Sequence, residues 1–152
     1  MYLTVHAAAG LWLATYTANP IVAFFLGLIS HFILDAIPHG DEHVGHGLLT
    51  RWHAIKRLVG ATTIDGIILV FFTLIYIATT PAANTTIVLA SLAGAILPDL
   101  LWGIYLLIPF RALRWYYNFH SSIHNPARHK MHWQYGIFIQ VLIFTALWLM
   151  LV

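Results

Sequence analysis

Apolar residues run along this chain in five long stretches, separated by two short and two long polar breaks. The stretches lie near Tyr2 to Thr17, from Pro20 to about Ile37, from about Leu58 to Thr79, from about Thr85 to Ile108, and from about Trp133 to Val152. A helix that spans a bilayer needs about 20 apolar residues, with a range of roughly 17–25. Each stretch therefore predicts a membrane helix, and the first is short enough to predict tilting or local thinning of the bilayer. "TANP" and "TTPAANTT" are tight polar turns, which predict antiparallel hairpins for helices 1–2 and 3–4. The long breaks, residues 38–57 and 109–132, are rich in histidine, glycine, basic residues and aromatics. Within them, "LLTRWHAIKRL" and "FRALRWYYNF" predict short interfacial helices with tryptophan and tyrosine at headgroup level. The expected fold is all-α: an integral membrane bundle of about five transmembrane helices with two short interfacial helices, in a single domain over residues 1–152.

Composition agrees with that pattern. The chain has 152 residues, of which 61% are hydrophobic and 8% charged, whereas a soluble domain carries roughly 25% charged residues. No cysteine is present, which excludes disulfides, thiolate metal sites and cysteine nucleophiles. The formal charge of +2 is too small to suggest a nucleic-acid partner. The N-terminus lacks a basic region and carries His6 in its apolar run, so it reads as a membrane helix and not as a cleavable signal peptide. Every lysine and arginine lies in the two long connections: Arg51, Lys56, Arg57, Arg111, Arg114, Arg128 and Lys130. By the positive-inside rule, those connections and the N-terminus are expected on the cytoplasmic side and the C-terminus outside.

Topology then sorts the polar residues. His6, His31, Asp35, Asp65 and Asp99 fall at similar depth on the cytoplasmic side of helices 1 to 4. An aspartate in a bilayer costs roughly 2.5–3.5 kcal/mol on insertion scales. Three of the chain's five acids lie in spanning segments, and a bound metal cation would compensate them directly. His31 and Asp35 are four apart, so they share one helical face. Imidazole with carboxylate is a ligand set for zinc first, and also for iron or manganese. His6 and Asp99 are candidates to complete the ligands, and His39 is a further one. Asp65 is a candidate ligand, partner of a ring N–H, or general base. His120 and His124 repeat the four-residue spacing and are candidate proton acceptors beside Asp65. His39 and His43 have that spacing too, but Gly40 argues against a helix between them. His46, His53, His129 and His132 read as solvated or interfacial. A lone membrane histidine often just hydrogen-bonds a neighbouring helix; the coincident depth of five ionisable groups is the stronger signal. Gly27, Gly94 and Gly103 read as places of close helix packing.

"VHAAAG", "SHFILDAIPHG" and "GAILPDLLW" together resemble the membrane-bound metal-dependent hydrolase-like proteins of bacteria and archaea. These are small multi-span proteins thought to be distant relatives of zinc-dependent phospholipase C. The resemblance covers helices 1, 2 and 4. It implies that His6, His31, Asp35 and Asp99 are metal ligands and that the chain sits in a prokaryotic cytoplasmic membrane. Family members often place an acid or histidine soon after the LPD pattern and put that pattern before the histidine–aspartate segment. Here Leu100, Leu101 and Trp102 follow Asp99, and the order is reversed.

These readings lead to an expected membrane-embedded metal-dependent hydrolase that works at the cytoplasmic leaflet on a lipid phosphoester. Membrane lipid is the expected partner, and Arg111, Arg114, Arg128 and Lys130 would attract an anionic headgroup. The alternatives are a non-enzymatic membrane subunit, alone or in an oligomer, and a protein that handles metal ions or protons. The outer halves of helices 1 to 4 hold almost no polar residues, which counts against a transport path.

Overall fold

The computed structural model describes residues 1–40, 51–80, 83–124 and 132–152. Asp41, His43, His46, Arg128, His129 and Lys130 lie outside the described residues. The chain is all-helical, with α1 Leu3–Ala14, α2 Pro20–Asp35, α3 Arg51–Thr79, α4 Thr85–Leu107, α5 Arg114–Ile123 and α6 Trp133–Leu151. A 3-10 turn, Arg111–Leu113, leads into α5.

The two polar turns start helices by the same device. Asn19 accepts hydrogen bonds from the amides of Ile21 and Val22, and Pro20 takes the first helical position, where its missing N–H is not needed. Asn84 likewise accepts from Thr86 and Ile87 at the start of α4. At the other end of α4, Ile108 is extended (φ −131°, ψ 99°), as the residue before Pro109 must be to clear the proline ring. The chain then turns, and α5 packs back on α4. Tyr116 anchors it by donating from its hydroxyl to the carbonyl of Pro98 at 2.9 Å. Trp102 adds a stack on Tyr117 and a hydrogen bond from its indole N–H to Ser121.

Helix α1 runs through the middle of the bundle, in contact with α2, α3, α4 and α6. Its interior run, Ala7, Ala8, Ala9 and Gly10, is buried; side chains this small let neighbouring backbones approach from several sides. A helix that is apolar all round is a buried helix. Its 12 residues make about 18 Å at 1.5 Å per residue, and the 16 of α2 make about 24 Å. Both fall short of a hydrocarbon core of about 30 Å. Among the described residues, three helices are long and apolar enough to cross a membrane: Ile55–Thr79 within α3, Thr85–Leu107 and Trp133–Leu151. The other two expected spans, α1 and α2, are shorter apolar helices that end sooner than their apolar stretches. One expected interfacial helix also differs. From Arg51 onward it is the opening of α3, which runs unbroken for 29 residues; nothing between Arg51 and Thr79 but Gly60 and Gly66 weakens a helix. The other expected interfacial helix is α5.

The tightest crossing is between α2 and α4, at Gly27 and Gly94. A Cβ on Gly94 would run into the backbone carbonyl of Phe24, and one on Gly27 into that of Ser91. Gly103, in contrast, has nothing within 4 Å of its Cβ position. Gly94→Ala is therefore expected to lower stability in detergent by roughly 1–3 kcal/mol, the usual range for overpacking. Gly103→Ala should stay within about 0.5 kcal/mol of the parent. Thermal or denaturant unfolding of the two variants checks the contrast.

Candidate metal centre

The α2–α4 crossing sets the site. His31 and Asp35 occupy the last two turns of α2, Asp99 follows Pro98 on α4, and His120 lies on α5. Nε2 of His31 stands 3.0 Å from Oδ2 of Asp35 and 3.8 Å from Oδ1 of Asp99. Nε2 of His120 is 3.4 Å from each of the same two oxygens. The two Nε2 atoms are 3.2 Å apart. Four donor atoms at tetrahedral corners, about 2.0–2.2 Å from a zinc-like cation, would be separated by about 3.3–3.5 Å. Five of the six edges here fall at 3.0–3.8 Å, and all four ligand atoms lie within 4.8 Å of one another.

The ring orientations fit metal ligation. Nδ1 of His31 is 2.8 Å from the carbonyl of Ala95. An N–H there donates to that carbonyl and leaves Nε2 with its lone pair facing the cluster, the usual way a ligating histidine is held. Oδ2 of Asp35 is buried and has no hydrogen bond of acceptable geometry despite its nitrogen neighbours. These atoms converge on a shared point more than on each other. The arrangement concentrates negative charge, and His120 responds to it. Burial alone would disfavour its charged form, but the hydrogen bonds and charges of Asp35 and Asp99 outweigh that and push its pKa up to about 9.

The remaining candidates take other places. His6, on α1, stacks on His31 with ring centroids 4.0 Å apart. Its Nε2 faces the other oxygens of both carboxylates, at 3.1 Å from Oδ1 of Asp35 and 4.0 Å from Oδ2 of Asp99. The side chain of His6 is fully buried, and among the described residues Nδ1 of its ring has no hydrogen-bond partner. His39 and His124 sit together on the far side of Asp35, with Nε2 atoms 3.2 Å apart. Asp65 does not join the cluster. From α3 it accepts hydrogen bonds from the amides of Leu3 and Thr4 and from the Thr4 hydroxyl, the last at 2.6 Å. It caps α1, where a carboxylate satisfies free N–H groups and meets the positive end of the helix dipole.

Two contributors were not anticipated. Gln140 of α6 is 3% exposed; it accepts from the amide of Tyr2 at 2.8 Å and donates to the carbonyl of His39 at 3.2 Å. An amide deep in the apolar run of α6 was the available signal. Tyr116 ties α5 to the Pro98 carbonyl, next to Asp99. Comparison with protein-family models, curated proteins and solved structures finds no match to this chain.

Asp65→Ala strips the cap from a buried helix end and leaves amides without partners. It is expected to lower stability by about 1–3 kcal/mol, with Asp65→Asn milder because an amide oxygen still accepts. Unfolding midpoints of the two variants in the same detergent decide this.

Proposed function

We propose that this chain is a membrane-embedded hydrolase dependent on a divalent cation, zinc in the first instance, held by His31, Asp35, Asp99 and His120. The observation that carries the reading is the set of two imidazole nitrogens and two carboxylate oxygens that lie within 4.8 Å of one another. Buried carboxylates need compensating positive charge, and a cation among these four ligand atoms would supply it. The resemblance of "VHAAAG", "SHFILDAIPHG" and "GAILPDLLW" to the membrane-bound metal-dependent hydrolase-like proteins points the same way.

The residues divide the work as follows. A bound divalent cation supplies Lewis acidity and lowers the pKa of its water. His6 faces the outer oxygen of Asp35 at 3.1 Å and stacks on His31, and so would orient both. Asp65 acts at one remove, by fixing the start of the helix that carries His6. An apolar cavity of about 250 Å³, lined by Leu28, Phe32, Leu97, Pro98, Trp115 and Phe119, adjoins the site. Phe32 and Tyr116 separate it from the His120 ring, each with its centroid 6.0 Å away. A lipid phosphoester suits this pairing, its tail in the cavity and its headgroup at the cation, with Arg111 and Arg114 nearby in sequence to attract an anionic group. In this reading the short helices α1 and α2 complete a five-helix bundle in a prokaryotic cytoplasmic membrane. The site faces the cytoplasmic leaflet and the C-terminus lies outside.

Protein purified without chelators or a polyhistidine tag is expected to carry firmly bound zinc, iron or manganese and to hydrolyse lipid phosphoesters in mixed micelles. His31→Ala with Asp99→Ala should remove both metal and activity. His6→Ala should reduce metal affinity or turnover by roughly 10–100-fold, as loss of an orienting partner does. Metal-free parent protein contradicts the reading. Metal without hydrolysis of any phosphoester favours a non-enzymatic membrane subunit or a cation-handling protein.

A further inference from the structure

Asp35 has a second oxygen, Oδ1, whose surroundings extend beyond His6. Its Oδ2 serves His31 and His120, while Oδ1 points toward His39 and His124. Nε2 of His124 is 3.8 Å from Oδ1, Nε2 of His39 is 3.2 Å from Nε2 of His124, and the three ligand atoms lie within 4.8 Å of one another. The α-amino group of Met1 lies beside them and pairs with Oδ1 at 3.0 Å.

His39 is held for this task. Its Nδ1 lies 2.6 Å from the carbonyl of Ile37; an N–H donated there leaves the Nε2 lone pair on the side of His124. Its own carbonyl accepts from Gln140. Gly136 of α6 lets that carbonyl come so close that a Cβ would collide with it, and Gly40 turns the chain away with φ +71°. His39 is 2% exposed, so this is a built interior position and not a chance surface pairing. His124 enters from the end of α5, one turn beyond His120. The same short helix therefore supplies one imidazole to each face of Asp35.

We infer that Asp35, His39 and His124 form a second divalent-cation position, and that the Asp35 carboxylate bridges it to the first. The bridge rests on the cation site proposed for His31, Asp35, Asp99 and His120. Two cations about 3.5–4 Å apart form the clamp that holds the attacking and leaving oxygens of a phosphoryl group.

The test is a manganese or zinc titration of the full-length protein in detergent, with metal counted after desalting and the Mn(II)-loaded form examined by electron paramagnetic resonance. The expected parent result is two ions per chain and a spin-coupled manganese signal. His39→Ala with His124→Ala should hold one ion and lose the coupling. Asp99→Ala with His120→Ala should also hold one, at the other position. His124→Ala alone, at a residue 22% exposed, guards against a folding defect, since its unfolding midpoint can be compared with the parent. One ion in the parent that survives in His39→Ala/His124→Ala overturns the second position and leaves the first standing. One ion that survives in Asp99→Ala/His120→Ala but not in His39→Ala/His124→Ala upholds the second position and removes the first. No ion in any form overturns both.

Discussion

A carboxylate with 1% exposure, Asp35, is the group around which this bundle is arranged. Taking a carboxylate out of water costs several kcal/mol even after relaxation, unless charge and hydrogen bonds replace the lost hydration. Nitrogen atoms from three parts of the chain supply that replacement: the Met1 and His6 end of α1, His31 on α2 itself, and His120 and His124 on and just beyond α5. Each of these elements must reach the same point. That requirement explains why a helix as short as α1 lies in the centre and why α5 folds back under α4.

The helices divide into two kinds. α1, α2 and α5 are short and carry the polar groups of the site, with Asp99 on α4 as the fourth wall. α3 and α6 are long, apolar, and little buried along their hydrophobic windows. Exposed residues such as Ile64, Phe71, Phe138 and Leu142 cover their outer surfaces, as suits helices with lipid tails around them. Phe72 and Tyr76 of α3 and Phe144 and Leu147 of α6 pack against α1, and polar cross-links add to this apolar contact. Asp65 of α3 caps α1, and Gln140 of α6 holds Tyr2 and the His39 carbonyl. The outer helices thus fix both the start of α1 and the loop that carries His39.

Part of this was legible in the sequence. The four-residue spacing of His31 and Asp35 already put both on one face, and they do converge. Similar depth brought Asp99 to the same layer. Depth says nothing about direction around a helix axis, however. Asp65 lies in that layer and faces the α1 amides, a partnership that no spacing rule encodes because it joins residues 61 and 62 apart. His120 looked like a loop residue that could take up a proton, since its stretch is weakly apolar. Only the fold-back of α5, fixed by Pro109 and by the Tyr116 bond to Pro98, brings it against Asp35 and Asp99. The lengths of α1 and α2 were overestimated for a related reason. Apolarity marked what is buried, and in this bundle the interior is as apolar as the lipid, so hydropathy alone did not set where α1 and α2 end.

The most direct measurement of the central claim is the zinc K-edge X-ray absorption spectrum of purified, zinc-loaded protein. The account predicts a low-coordinate shell of nitrogen and oxygen at about 2.0–2.2 Å, with the outer-shell scattering of imidazole rings and no sulfur. A six-coordinate shell of water oxygens without imidazole scattering would contradict it, and the buried histidines and aspartates would then be only the polar joints of a membrane bundle.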